Sequence, residues 1–270
     1  MRLPVLFVSH GSPMLAVQPG RTGPALSSWA AELPRPPRAI LVVSPHWRGP
    51  GLAISTRERQ QAWHDFGGFP PELYALDYDA PGSPQLAERL RVLLAEAGLP
   101  AQDDPGRPLD HGAWVPLRYL YPQADIPVVQ LSLDARRDAQ AQYELGRVLA
   151  PLRDEGVLII GSGSLTHNLR HVQPQADAAP LDYVPAFQRW YAQQFAARDE
   201  QALFDWQARA PGAASAHPHD DHLMPLYVAM GAGGWPARHV NDEITYAALA
   251  MDAWQFGETA TAPRPVALSS

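Results

Sequence analysis

The sequence contains no cysteine. This absence excludes disulfide bonds, thiolate metal ligands and a cysteine nucleophile, so any metal ion must be held by His, Asp or Glu. Long apolar and long basic stretches are also missing: no apolar run approaches the roughly 20 residues that span a bilayer, and the net charge is −7. The composition therefore predicts a soluble, cytoplasmic protein that binds neither a membrane nor a nucleic acid.

The chain is long enough to form a substantial core without covalent cross-links, since 46% of its 270 residues are hydrophobic. Proline is abundant, and its 29 copies are roughly twice the usual 5% of residues. Scattered prolines of this kind indicate stiffened loops between regular elements. We expect one domain over residues 1–257, followed by a flexible tail over residues 258–270.

Short apolar runs rich in Val, Ile and Leu predict buried β-strands. They cover residues 3–8, 39–44, 51–56, 126–133 and 157–161, and a partly alternating run over 243–256 predicts an edge strand. Between them, helical periodicity predicts helices that begin at Pro84, with Ser83 as cap, and that cover 138–155, 184–198 and 222–231. This alternation predicts an α/β domain whose central mixed, mostly parallel sheet is covered by helices on both faces.

Histidine comes after three of these predicted strands. His10 ends the run VLFVSH, His46 follows AILVVSP, and His167 follows VLIIGSGSLT. A single histidine in such a place is most often only a polar residue where the chain reaches the surface. Three of them, each beside Gly, Ser or Pro, favour a shared site, because ligands bind at the carboxyl edge of open α/β sheets. Imidazoles that converge without cysteine suit Zn²⁺ or Fe²⁺.

Six motifs occur in a fixed order from one end of the predicted domain to the other. They are HGSP (10–13), SPHW (44–47), HDFGGFP (64–70), DHGAWVPL (110–117), GSGSLTHNL (161–169) and HLMPLYVAMGA (222–232). This set resembles the class III extradiol ring-cleavage dioxygenases, and within them the DOPA-4,5-dioxygenase-like branch. The resemblance covers nearly the whole chain, from about residue 3 to residue 256.

The resemblance implies a non-haem metal site at the carboxyl edge of the sheet. His10, His46 and His222 would be the ligands of one Fe²⁺ or Zn²⁺ per chain. His167 would be the acid/base group beside the metal, or a fourth ligand in a resting zinc form. His111 would be a second polar group that faces the substrate or dioxygen. The expected reactants are a small aromatic diol and O₂, in a monomer or a small homo-oligomer.

The third ligand departs from the pattern of better-known members of the superfamily. Those proteins have a glutamate where this chain has His222, and three neutral imidazoles suit either metal. Asp220 and Asp221 are alternative carboxylate donors to the metal. We expect them instead to cap the helix, or to hydrogen-bond a metal-binding side chain without touching the metal.

Aromatic residues near the second and third motifs predict the substrate wall. Trp47, Phe66 and Phe69 would contact a flat ring, and His64 would hydrogen-bond it. A packed surface loop explains HDFGGFP equally well.

Two other functions fit a site made of three histidines. A zinc hydrolase would use the metal to activate a water molecule. A metal-binding or adaptor protein would share the fold without catalysis. If His111 and His167 accompany the three ligands around an open cavity, an enzyme is favoured.

Overall fold

A large mixed sheet organises the computed structural model, which describes residues 2–258. Its strands are β1 (Val5–Ser9), β2 (Ala39–Gly49), β3 (Leu52–Ser55), β4 (Ala101–Asp104), β5 (Val128–Asp134), β6 (Val157–Gly163), β7 (Ala237–Asn241) and β10 (Ala253–Phe256). Two short strands, β8 (Ile244–Thr245) and β9 (Leu249–Ala250), form a separate pair.

The strand order in the large sheet is β4-β3-β5-β2-β6-β1-β10-β7. The central strands β5, β2, β6 and β1 pair in parallel, and β3 pairs in parallel with β4. The contacts of β3 with β5, β1 with β10 and β10 with β7 are antiparallel. The sheet is thus mixed and mostly parallel, as predicted. Strands β1, β5 and β6 are buried along their whole length, which explains their continuous apolar sequences.

Helices cover both faces of the sheet, which confirms the predicted fold class. The helices are α1 (Thr22–Glu32), α2 (Pro71–Tyr74), α3 (Pro84–Glu96), α4 (His111–Leu120), α5 (Ala139–Leu149), α6 (Tyr183–Ala197), α7 (Glu200–Phe204), α8 (Trp206–Arg209), α9 (Ala213–Ala216) and α10 (Met224–Gly233). One core cluster contains side chains of α3, α5, α6 and α10. The opposite cluster contains side chains of α1, α2 and α4.

The local signals for helix ends were accurate where capping chemistry was clear. The Ser83 hydroxyl accepts a hydrogen bond from the Leu86 amide at 3.2 Å, so α3 begins as predicted. The run 138–155 is instead divided, because the helix passes at Ala150 into a single 3-10 turn that contains Pro151.

Other elements differ from the sequence-based expectation. The run 243–256 forms three short strands, β8 to β10, instead of one edge strand. Strands β4 and β7 and helices α1 and α4 were not predicted. The sequence of β4 is AQDD, which is polar because this strand lies at the sheet edge, and α4 contains an internal proline, Pro116.

Strand β2 is longer than predicted. It continues to Gly49, so His46 lies inside the strand and not after it. The register of β2 against β5 shifts between Val43, opposite Leu131, and Arg48, opposite Leu133. Residues 44–47 therefore face a single residue of β5, and a bulge of this kind bends a strand and redirects its side chains.

The predicted domain boundary at residue 257 stays a prediction, and the predicted tail lies, after Glu258, outside the described residues. Within residues 2–258, the helices are too short or too polar to cross a membrane.

Close packing of α10 on α5 generates a prediction about stability. A Cβ at Gly231 would overlap the backbone carbonyl oxygen of Tyr143, so Gly231→Ala should lower the free energy of unfolding by about 1–3 kcal/mol. Gly49→Ala is the control, because nothing lies within 4 Å of a Cβ there. Urea denaturation of both variants measures the effect, and equal midpoints for Gly231→Ala and the wild type would refute this packing.

Candidate active site

The carboxyl ends of three neighbouring strands build one side of the site. Strand β6 lies between β2 and β1, and all three run in the same direction. His10 directly follows β1, and the chain turns away at Gly11, whose φ of +57° suits glycine. His46 projects from the bulge of β2, and His167 follows the end of β6.

His222 reaches the same place from a different element. It lies in the 3-10 turn Asp221–Leu223 that leads into α10. Its carbonyl oxygen accepts a hydrogen bond from the Ser164 amide at 2.8 Å. This close approach depends on Gly163, because a Cβ there would overlap the same carbonyl oxygen.

The three histidines converge. His10, His46 and His222 each offer a ring nitrogen, and these nitrogens all lie within 4.8 Å of one another. The Nε2 atoms of His10 and His46 are 3.1 Å apart. Such a short separation suits two nitrogens that bind one ion at about 2.0–2.1 Å each.

The hydrogen bonds of His10 leave its Nε2 atom free to bind a metal. The Ser162 hydroxyl donates its proton to the Gly112 carbonyl oxygen. It therefore accepts from His10 Nδ1, which is 3.0 Å away. With the proton held on Nδ1, Nε2 carries the lone pair that faces His46.

His222 is buried, and neither of its ring nitrogens has a hydrogen-bond partner among the described residues. Nδ1 lies 3.3 Å from Asp221 Oδ1 without the geometry of a hydrogen bond. A buried polar atom without a partner is costly in a folded protein and needs an explanation. A bound cation would supply one for the ring nitrogen that takes part in the cluster with His10 and His46.

Burial favours the uncharged form of His10 and His46. It lowers the pKa of His10 well below its usual value, with a further contribution from His46. It lowers the pKa of His46 to about 3, aided by the proximity of His111. Neutral imidazoles are the form that binds metal ions. Three imidazoles around one point fit a divalent transition metal.

His111, at the start of α4, stands beside the cluster. Its ring centroid is 4.1 Å from that of His46. Its Nδ1 donates to Asp65 Oδ1 at 2.8 Å, and its backbone amide donates to the same oxygen at 3.1 Å. Burial raises the pKa of Asp65, but the hydrogen bonds from His111 and the proximity of its ring outweigh this, so the carboxyl pKa lies below its usual value.

His167 stacks on His222. Their ring centroids are 3.4 Å apart and the ring planes differ by 8°. Its side chain makes no hydrogen bond to another described residue, and burial lowers its pKa to about 2. The ring is therefore neutral, with both nitrogens available to a ligand.

A cavity of about 530 Å³ opens onto this cluster. His46, His111, His167 and His222 line one part of it, and Phe66 and Phe69 lie on the wall. An open cavity bordered by both His111 and His167 favours an enzyme over a metal-binding or adaptor protein.

Two residues expected on the wall do not line this cavity. The ring of Trp47 instead lies 5.0 Å from the guanidinium carbon of Arg107, a cation–π contact outside the cavity. His64 lies behind Phe66, and its Nε2 is 3.0 Å from the Leu76 carbonyl oxygen. Its Nε2 atom thus anchors the loop.

The two neighbouring aspartates have different contacts. Asp220 pairs with Arg48 at 3.2 Å, and Asp221 Oδ1 accepts from the His222 amide at 2.9 Å. Neither belongs to the group of converging ligand atoms around His10 and His46.

Sequence reasoning missed the polar partners of the histidines. Asp65 follows His64 inside the motif HDFGGFP, so a carboxylate in that motif was the available signal. Ser162 lies in GSGS, where it was one of several serines. The outer cavity wall, formed by the segment after His167, carried no recognisable signal.

The fold and the histidine cluster at the carboxyl edge of its sheet are typical of a metal-dependent enzyme. Comparison with known proteins specifies the class. Residues 4–254 match the family described as the catalytic LigB subunit of aromatic ring-opening dioxygenase, and the chain belongs to this family. It is an extradiol ring-opening dioxygenase, and its reactants are an aromatic compound and O₂.

Individual relatives cover most of the chain. It is 43% identical over 231 residues to "4,5-DOPA dioxygenase extradiol" of Beta vulgaris, which covers 84% of this chain and 86% of that protein. It is 38% identical over 261 residues to the protein of the same name from Escherichia coli (strain K12), with 95% of each covered. The crystal structure of an uncharacterized protein from Escherichia coli K12 has a TM-score of 0.78 at 32% identity and covers 95% of this chain and 100% of that chain. The resemblance inferred from the motifs is thereby confirmed, and the hydrolase and adaptor alternatives find no support.

Proposed function

We propose that this enzyme opens the ring of a catechol with O₂ at a ferrous ion held by His10, His46 and His222. The convergence of these three imidazoles at the edge of an open cavity carries the proposal. Two relatives are named for DOPA, a catechol with a side chain on its ring. We therefore infer that the substrate is a ring-substituted catechol.

The choice of iron rests on the reaction and not on the ligands. Three imidazoles accept Zn²⁺ or Fe²⁺, but Zn²⁺ has no redox chemistry. When bound, ferrous iron supplies open coordination positions and a path for electrons between the catechol and O₂. We expect one ion per chain and a cytoplasmic location, in keeping with the absence of cysteine.

Phe66 and Phe69 place the aromatic ring. Both side chains line the cavity, and their own rings lie 5.3 Å apart in a T-shaped contact. Phe66 also lies 5.6 Å from His111. A flat ring that packs against these two faces is held beside the histidine cluster.

His167 is the acid/base group. A catechol must lose protons as it chelates a metal and regain them as its ring opens. Among the described residues, none holds the ring nitrogens of His167 by a hydrogen bond, so the ring can take a proton from a substrate hydroxyl. Burial lowers the pKa of His167 and therefore favours the later return of that proton. Positioned groups of this kind typically contribute about 10²–10⁴ in rate.

His111 assists as a second proton carrier. Because Asp65 holds its Nδ1 proton, Nε2 is left as an acceptor. The buried carboxylate of Asp65 stabilises the imidazolium that forms when Nε2 takes a proton. His111 thus faces the substrate or O₂ with a group that accepts and then donates.

The proposal is tested by anaerobic reconstitution with Fe²⁺ or Zn²⁺, followed by oxygen uptake with a panel of catechols. The ferrous form should consume one O₂ per catechol and yield a ring-opened yellow product, and the zinc form should consume none. Oxygen uptake by the zinc form, or none by either form, would contradict it.

The ligand and acid/base roles predict different losses. His10→Gln should lose its metal and its activity together. His167→Gln should keep its metal and still bind catechol, while ring cleavage falls by about 10²–10⁴. Elemental analysis and single-turnover kinetics measure both effects. Should His167→Gln lose iron as fully as His10→Gln, His167 is a required ligand.

The hydroxyl that orients His10 predicts a subtler effect. Ser162→Ala leaves all three imidazoles in place but removes the acceptor of the His10 Nδ1 proton, so metal affinity should fall by about 10–100-fold. Ser164→Ala is a matched control, since this buried hydroxyl donates to the Thr166 carbonyl oxygen at 2.8 Å. Competition with a chelator measures both affinities, and equal values for the two variants would show that Ser162 does not orient His10.

A further inference from the structure

The active-site cavity lacks ionised side chains. No Lys, Arg, Asp or Glu is among the described residues that line it. Its outer wall is instead apolar, with Met14 on one side and Leu169, Val172 and Pro174 on another. Leu169 is 66% exposed at this mouth.

The Tyr246 hydroxyl and the Gln173 backbone amide on the outer wall already have partners. The Tyr246 hydroxyl is 3.0 Å from Gln18 Oε1. The backbone of Gln173 donates to the Tyr246 carbonyl oxygen at 2.9 Å. Tyr246 itself has a φ of +53°, an uncommon conformation for a residue with a side chain. This wall is therefore held in place by its own contacts, and none of them presents a charge to the cavity.

Charged residues near the cavity face elsewhere. A neighbouring cavity of about 350 Å³ contains Arg21 and Glu243. The Glu243 carboxylate accepts hydrogen bonds from the Arg21 amide and from the amide and hydroxyl of Thr22, at the start of α1. The Arg21 guanidinium pairs with Asp242 at 3.1 Å. Arg170, beside Leu169 in the chain, lines a smaller cavity of about 190 Å³ with Asp221.

We propose that the enzyme selects catechols whose ring substituent is uncharged and apolar, and that an amino acid side chain such as that of DOPA is a poor fit. The inference rests on the proposed function, because it assumes that a catechol occupies this cavity. The transfer of an ammonium or carboxylate group from water into this cavity is strongly disfavoured when no group of opposite charge pairs with it there. An alkyl group gains instead from contact with Met14, Leu169 and Val172.

A series of catechols that differ mainly in charge tests the proposal. It consists of 4-propylcatechol, dopamine, 3-(3,4-dihydroxyphenyl)propanoate and DOPA, which are neutral, cationic, anionic and zwitterionic. In the ferrous enzyme, kcat/KM for 4-propylcatechol should exceed that for each charged compound by roughly tenfold or more. The zinc-loaded enzyme, which cannot turn over, should show the same order of Kd by anaerobic calorimetry.

A charge introduced at the mouth should change this order. Leu169→Lys should raise kcat/KM for the propanoate relative to 4-propylcatechol by roughly two- to fivefold, the usual size of an exposed ion pair. Leu169→Gln, which is polar but neutral, is the matched control and should leave the ratio between the anionic and cationic compounds unchanged. If Leu169→Lys cleaves the catechols but leaves kcat/KM for the propanoate relative to 4-propylcatechol unchanged, Leu169 does not contact the substituent and the proposal is overturned.

The possible failures are distinguishable. If the ferrous enzyme cleaves DOPA or the propanoate better than 4-propylcatechol, the substituent inference is wrong and the proposed function stands. A loss of that preference in Arg170→Gln would then identify Arg170 as the carboxylate partner. If the ferrous enzyme cleaves no catechol, the proposed function fails, and the Kd series of the zinc form still decides whether the cavity prefers an uncharged substituent.

Discussion

Three imidazoles that converge on one point are the constraint on which this structure depends. His10, His46 and His222 belong to separate elements, and each must present a free lone pair to that point if it is to bind a metal. Burial favours the neutral form of His10 and His46, because a charged imidazole is disfavoured away from water. The sheet, the bulge of β2 and the turn before α10 together meet these requirements.

The hydrogen bonds that hold His10 and His111 connect the histidine cluster to the rest of the fold. The Ser162 hydroxyl bridges His10 and the Gly112 carbonyl oxygen, so β1, β6 and α4 meet at one side chain. Asp65 similarly connects the loop after β3 to His111 on α4. Because His10 and His111 are each oriented by a group on another element, a shift of any of these elements would change the geometry of the site. The position of the ligands is thus a property of the whole domain.

Charge is distributed unevenly around the site. Behind His46, the buried carboxylate of Asp110 accepts from Ser44 at 2.7 Å, from Arg107 at 2.8 Å and from Gln130 at 2.9 Å. Arg107 also donates to the His46 carbonyl oxygen at 3.0 Å. Charged side chains near the site are therefore paired with one another within the scaffold. Among the described residues, the side chains that line the cavity include no Lys, Arg, Asp or Glu. This division explains how a polar metal site and an apolar substrate wall can share one cavity.

The sequence by itself determined the class of fold, the central strands and the histidines at their carboxyl ends, because buried parallel strands have continuous apolar runs and capped helices have local signals. It did not reveal β4 or the division of residues 243–256, since polar edge strands and short strands have weak patterns. Only the tertiary structure decided that Phe66 lines the cavity while Trp47 and His64 do not, and that Asp65 and Ser162 orient the histidines. Such contacts join residues far apart in the chain, and the direction in which a side chain points depends on packing that no local pattern records.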